Sequence, residues 1–414
     1  MHRIYLDNQS GTRLDARVLQ LILPFFDQQY GNAQSMHTLG QQAKDAMEKA
    51  RVQVADLIGA RNEEMYFTAT ASEANNLAVK GIAQAYQAKG KHIIVSAIEH
   101  FSVLNCGKRL GQAGFDVTYL PVDKDGLISP EDLKKALRPD TTLVSIQLAN
   151  SEIGTVQPIA ELSVIAREKG VIFHTDAVYA AGFMDIDVNQ LGVNALTLSG
   201  NQFYGPKGAA ALFLKKGVRI TPQTDGGVQE AGRRAGTENI PAIVGFGAAC
   251  ELVKKEMPQF LPEIIRLRDR LIKELPEKIE YVYLNGHPLK RTPHNANFSI
   301  EFIEGEAMML FLDQEGIYVS SGSACANKAL KLSHVLTAID VDAAVGQGSL
   351  SLTLSKYNND NCIDSLLEHL PPTVERLRQM SPLFAHFQKT GKRQVAGPGT
   401  DYKHQHEHEE QEEH

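Results

Sequence analysis

Between Met65 and Leu214 the chain alternates short apolar strand-like runs with helical runs, and this rhythm restricts the fold more than any other feature of its 414 residues. Met65-Tyr-Phe-Thr precedes a helical run over 72–89, and Ile93-Ile-Val-Ser precedes one around 103–112. Val117-Thr-Tyr-Leu leads to a helix capped by Ser129-Pro-Glu, and Leu143-Val-Ser-Ile leads to a helix near 159–169. Val171-Ile-Phe-His, Leu196-Thr-Leu and Ala211-Leu-Phe-Leu complete the series. Apolar strands separated by helices predict a mostly parallel sheet covered on both faces. We therefore expect a large α/β unit over 13–247. From about Ala248 a long amphipathic helix, 261–279, leads into a different mixture of strands and helices. This predicts a smaller α+β unit made of 248–390 and of 1–12, with the first dozen residues crossing back to it.

With 43% hydrophobic and 22% charged residues, the chain has the composition of a soluble protein large enough for two such units. Cys106, Cys250, Cys325 and Cys362 lie far apart with no CxxC pair, which argues against a disulfide framework or structural zinc and fits a reducing compartment. Three of them, Cys106, Cys250 and Cys362, read as small buried hydrophobes. The start, Met1-His-Arg-Ile-Tyr-Leu-Asp, has no apolar signal core, and no long apolar run follows, so a cytoplasmic protein without a membrane span is expected. Of the net charge of −7, about −5 belongs to residues 401–414, with six acids and one lysine. The nearly neutral body, without a basic stripe, gives no electrostatic reason to bind nucleic acid. Residues 391–414 carry almost no apolar side chains and are expected to be a disordered, acidic, histidine-bearing tail. Its four histidines among glutamates form a loose divalent-metal motif, but a solvated terminus is the commoner meaning.

Eight motifs follow one another along the chain: Ile4-Tyr-Leu-Asp-Asn8, Tyr30-Gly-Asn-Ala-Gln-Ser35, Ala71-Ser-Glu-Ala-Asn-Asn76, Glu99-His100, Asn150-Ser-Glu-Ile-Gly154, His174-Thr-Asp-Ala177, Arg233-Arg-Ala-Gly-Thr-Glu-Asn239 and Ser320-Ser-Gly-Ser-Ala-Cys325. In that order they resemble the cysteine desulfurase family, in its shorter iron-sulfur-assembly branch, over residues 3–385. The resemblance implies the class V aminotransferase fold, also called the pyridoxal-phosphate transferase type I fold. It also implies a homodimer, pyridoxal phosphate as cofactor, L-cysteine as substrate and an iron-sulfur scaffold protein as partner. On these positions Asp176 pairs with the pyridine nitrogen, His100 stacks on the ring as a catalytic residue, and Asn150 lies near the ring hydroxyl. Ala71, Ser72 and Ser199 receive the phosphate, joined by Thr237 from the neighbouring subunit. Taken alone, Ser72 reads equally well as an N-cap and Asp176 as a helix cap.

Several positions depart from the pattern. In Leu198-Ser-Gly-Asn-Gln-Phe-Tyr-Gly-Pro-Lys-Gly208, Gln202 stands where the family has its Schiff-base lysine. A primary amide does not condense with an aldehyde and is not basic, so any cofactor would sit noncovalently and the proton carrier is missing. Asn201 replaces a phosphate-contacting histidine, Tyr179 a glutamine at the ring hydroxyl, and Thr70 a glycine of the phosphate turn. In Ser349-Leu-Ser-Leu-Thr-Leu-Ser355, Ser351 replaces the arginine that clamps the substrate carboxylate. A hydroxyl has neither the charge nor the fork of a guanidinium. Lys207 is expected to lie outside the pocket. Cys325, in a small-residue loop, keeps the position of the persulfide-carrying nucleophile and is equally a candidate ligand for the iron of a shared cluster. Two readings result. One is a desulfurase-like partner with lost or severely impaired turnover, with L-cysteine or sulfide as small-molecule ligand, using Cys325 for sulfur relay or for cluster ligation. The other is a working enzyme that converts L-cysteine to L-alanine and a Cys325 persulfide.

Overall fold

The computed structural model describes residues 3–321 and 332–393, so the expected Cys325 loop and the tail from 394 on lie outside the described residues. Gly391 caps the helix Pro382–Thr390 and Arg393 donates to Glu301 and Tyr283, a departure from the disorder expected from 391. A seven-stranded sheet runs in the order Met65–Thr68, Ala210–Leu214, Ala195–Ser199, Ile172–Asp176, Thr141–Ser145, His92–Ser96 and Asp116–Leu120. Only Ala210–Leu214 runs against the rest. The central strands bury both faces. Ile93, Val95 and Leu143 pack with Leu77, Ile82, Val103 and Leu110 beneath the helices Ala71–Tyr86 and Phe101–Gln112. Ile94, Val144, Phe173 and Leu196 pack on the opposite side with Leu162, Val54 and Phe246 from three other helices. Double coverage is why the strand sequences show no polar alternation.

A smaller antiparallel sheet, Ser349–Thr353, Asn295–Ile300 and Val282–Leu284, packs against the helices Gly305–Gln314 and Asp360–Gln379. The first residues cross to this region: Ile4–Tyr5 pairs in parallel with Ile317–Tyr318, and Asp7 bridges Thr353.

Two local expectations change. The helix expected over 261–279 is the second half of one helix, Ile240–Lys278, which continues through Pro258, Pro262 and Pro276. Each proline removes an N–H donor, but a buried stripe from Ile243 through Phe246, Cys250, Val253, Met257, Ile264, Leu267 and Leu271 to Leu275 outweighs that cost. The helix expected from 72 starts at Ala71, and its cap is the Thr70 side chain, which accepts from Glu73 N at 3.1 Å. Ser72 is therefore a first-turn residue and not the cap. Thr70 keeps extended backbone, φ −148°, so glycine is not required there.

The crossing segment also braces the loop after Ala195–Ser199. Thr12 N and Oγ1 both donate to Asn201 O, at 2.9 and 3.1 Å. Tyr204 N donates to Thr12 Oγ1 at 2.6 Å, and Asp15 N donates to Tyr204 O at 3.0 Å. Tyr204 is buried with φ +70°, a left-handed conformation that needs such support in a residue with a bulky side chain. The Thr12→Val variant should lose about 1–3 kcal/mol, the cost of stranding the buried Tyr204 N–H, whereas Thr12→Ser should stay close to the parent; denaturant unfolding of the two reads the difference.

Candidate functional site

The site forms at the carboxyl edge of the large sheet, where neighbouring parallel strands release their chains. Asp176 and Ser199 end their strands, while Thr70 and His100 follow Met65–Thr68 and His92–Ser96 within a few residues. Lys207 and Gly208 enter from the antiparallel strand, which begins at that same edge. Ligands of open α/β sheets gather at such edges.

One cavity there is lined by Ala71, Ser72, His100, Asp176, Tyr179, Ser199, Asn201 and Gln202, eight of the residues that the sequence places around a cofactor. Lys207 lines it too, which corrects the expectation that this amine lies outside. Its Cε comes close to the backbone of Gly11, where an added Cβ would sit 3.8 Å away, beside the Asn201 amide. Thr237 is exposed, on the stretch before the Ile240–Lys278 helix, and does not line the cavity. Asn150 lines an adjoining front cavity instead. Its Oδ1 accepts from Glu152 N and Ile153 N and its Nδ2 donates to Ile98 O, so its side chain holds a turn together.

At the inner end, Asp176 accepts from Asn75 Nδ2 at 2.6 Å and from Val178 N at 2.9 Å. Burial pushes its carboxyl above the usual range, against those two bonds and the nearby His100. A buried carboxylate held by neutral donors alone is suited to a cationic N–H, which a protonated pyridine supplies. At the other end, the Ala71 and Ser72 N–H groups open a 16-residue helix without intrahelical partners, next to Ser199, Asn201 and Lys207. Ser199 Oγ donates to Asn201 Oδ1 at 2.5 Å, which leaves the Asn201 amide hydrogens for other acceptors. The residues present thus fit a phosphorylated pyridine. His100 stands between the two cavities, and its Nδ1 accepts from Ser102 N, so in the neutral ring the proton is on Nε2.

The two substituted positions prove to be joined. Gln202 Nε2 donates to Gln9 O at 3.1 Å, and Ser351 Oγ donates to Gln9 Oε1 at 3.0 Å. Gln9 N in turn donates to Thr353 Oγ1 at 2.8 Å. Ser351 is fully buried. The front cavity beside Gln9 also holds Glu99 and Glu152. Burial, reinforced by Asp176, pushes the Glu99 carboxyl well up, while burial takes Glu152 to about 8 against its bond from Ser333. Burial therefore favours the neutral form of both side chains.

Sequence reasoning missed Gln9, Asn75, Glu152 and Lys207 as site residues. Asn75 and Glu152 lie inside motifs already singled out, but Gln9 gave no signal, because its part depends on where the crossing segment lands. Among the other thiols, Cys106 is buried and pushed up to about 11, and Cys250 is buried with its thiol also raised. Cys362 is only partly buried, a departure from its expected core position. Among the described residues no group of three or more His, Cys, Asp or Glu side chains is placed to hold a metal ion. No helix among them is long and apolar enough to cross a membrane.

Because Lys207 is the one ammonium lining the cradle among the described residues, Lys207→Met should weaken binding of pyridoxal phosphate about tenfold or more, the scale of one charge-assisted hydrogen bond. Affinity for unphosphorylated pyridoxal should hardly change. Absorbance titrations with both compounds measure the contrast.

Comparisons with known proteins agree with this geometry. Residues 4–366 match the family described as "Aminotransferase class-V". The chain is 48% identical over 380 residues, 92% of its length and 94% of the relative's, to cysteine desulfurase IscS of Methanosarcina thermophila. It is 46% identical to cysteine desulfurase IscS of Dictyoglomus turgidum, with 92% of this chain and 96% of that one covered. Among solved structures, a NifS-like protein superposes with TM-score 0.86 at 35% identity, covering 91% of this chain and all of the other. A NifS-like protein from Rickettsia africae gives 0.82 at 32% identity, covering 90% and 100%. The chain belongs to the class V aminotransferase family, in its pyridoxal-phosphate-dependent cysteine desulfurase group.

Proposed function

We propose that this chain is a cysteine-desulfurase-like protein of iron-sulfur cluster assembly whose own turnover is lost or severely impaired. In this reading it acts in the cytoplasm as a homodimer, built from the large unit over 13–247 and the small unit of 1–12 with 248–390. It presents Cys325 to a scaffold protein for sulfur relay or cluster ligation. One observation carries the reading: the carboxamide at position 202 and the hydroxyl at position 351 are both engaged by Gln9. Neither is a nucleophilic amine, a base or a carboxylate clamp.

Pyridoxal phosphate, when bound, supplies an electron sink for cleavage next to an amino group. The residues here would hold it by Asp176 at the ring nitrogen, by His100 over the ring, and by Ser72, Ser199, Asn201 and Lys207 at the phosphate. Gln202 offers hydrogen bonds alone, so the chain retains binding groups without the lysine that attaches the cofactor and carries protons in this family. Each missing group costs orders of magnitude in rate.

The second reading, an active desulfurase releasing L-alanine, has one observation in its favour: Lys207 brings a primary amine to the same cavity. Incubation with pyridoxal phosphate, borohydride reduction and intact-mass measurement separate the two readings. The wild-type chain should keep its mass, and Gln202→Lys should gain one phosphopyridoxyl group. A wild-type adduct mapped to Lys207 would establish the second reading. For the thiol, Cys325→Ser should abolish sulfur or cluster transfer in scaffold co-purification; unchanged transfer would remove the proposed role of Cys325.

A further inference from the structure

Gln202 presents one kind of atom to the cradle. Its amide has a donor end and an acceptor end, and the donor end is engaged: Nε2 donates to Gln9 O at 3.1 Å. That partner is a backbone carbonyl, which accepts and never donates, so the amide cannot turn over without setting two oxygens against each other. Gln9 is itself held in place, since its N donates to Thr353 Oγ1 at 2.8 Å and its Oε1 accepts from Ser351 Oγ at 3.0 Å. No hydrogen bond among the described residues reaches Gln202 Oε1, and this oxygen keeps accessible surface on a residue that lines the cavity.

Gln202 closes the short turn Gly200–Gln202, which also carries Asn201 and follows Ser199, two of the residues at the phosphate end of the cradle. In the phosphorylated pyridines that such a cradle suits, the ring carbon beside the phosphate arm, para to the nitrogen, bears either an aldehyde or an aminomethyl group. That substituent shares one end of the ring with the phosphate arm, as Gln202 shares one end of the cavity with Ser199 and Asn201. An aldehyde offers Gln202 Oε1 a second acceptor, and no hydrogen bond joins the two. An aminomethyl group is protonated at neutral pH and offers N–H donors with a positive charge. An ammonium leaving water costs free energy unless it is hydrogen-bonded, and the open carbonyl supplies a charge-assisted bond. A lysine at this position would act in the opposite sense, capturing the aldehyde and repelling the ammonium.

We propose that the cradle selects pyridoxamine phosphate over pyridoxal phosphate, with Gln202 as the residue that discriminates between the amine and the aldehyde. The substitution at position 202 thereby changes which form of the cofactor is held, besides removing its covalent attachment. This preference rests on the functional reading above, which puts a carboxamide where the family has its Schiff-base lysine, and it concerns equilibrium binding alone.

Calorimetric titration of the full-length, cofactor-free protein with each compound measures the preference, and borohydride reduction with intact-mass measurement on the same samples reports any covalent capture of the aldehyde. Pyridoxamine phosphate should bind more tightly by about tenfold or more, the scale of one charge-assisted hydrogen bond. Gln202→Met, which keeps the length of the side chain and removes the carbonyl, should bring the two affinities together. Gln202→Ala should do the same, and it serves if the methionine variant does not fold. Gln202→Lys should favour the aldehyde. Equal affinities, no binding of pyridoxamine phosphate, or tighter binding of pyridoxal phosphate without an adduct would overturn the proposal and leave the functional reading standing. So would a preference that persists in folded Gln202→Met or Gln202→Ala. Tighter binding of pyridoxal phosphate with an adduct on the wild-type chain would overturn both.

Discussion

The site depends on the hydrogen bonds that the crossing segment makes between the two sheets. Residues 4–8 are held by parallel pairing with Ile317–Tyr318 and are fastened to the small sheet by the exchange between Leu6, Asn8 and Thr353. Four residues later Thr12 is fastened to Asn201 and Tyr204, on the loop that leaves the large sheet. Gln9 lies between these anchors, so its backbone and side chain reach both substituted positions at once. The bonds to Tyr204 also hold a left-handed residue in place, and backbone strain of this kind persists only where the surroundings over-determine it.

Electrostatics divide the neighbourhood into two halves. The cradle pairs a buried acid, Asp176, with a distant anion-receiving end formed by the first turn of Ala71–Tyr86 and Lys207, which matches a ligand carrying a cation at one end and a phosphate at the other. The front cavity has acids and no cation among its described lining residues. His100 and Tyr179 border both, and they form the boundary where a bound ring and a small ligand would meet. In the proposed reading the chain keeps the means to hold the family's cofactor without the side chains that make the cofactor act on an amino acid.

Much of this was legible in the sequence. The apolar strand runs gave the doubly covered sheet because full burial leaves a composition signal, and the ordered motifs gave the positions that line the cradle. Gln202 and Ser351 stand out in the sequence as departures from the family pattern. Less accessible was anything set by where distant segments meet. Gln9 had no local pattern, and Lys207 was judged by its separation from position 202 along the chain, which says little when a turn folds the loop back over the cavity. The helix Ile240–Lys278 extends well beyond the expected 261–279, because the buried stripe that carries it is set by tertiary packing. Thr70 was seen as a lost glycine, yet its extended backbone makes it a cap.

The central claim is that the carboxamide at position 202 leaves the chain unable to use the cofactor it can hold. Its most direct test is the amount of L-alanine formed from L-cysteine and pyridoxal phosphate by homogeneous protein freed of host desulfurases. The account predicts no more alanine than the same cofactor concentration yields without protein. Multiple equivalents of alanine per chain, rising in proportion to protein concentration, would contradict it.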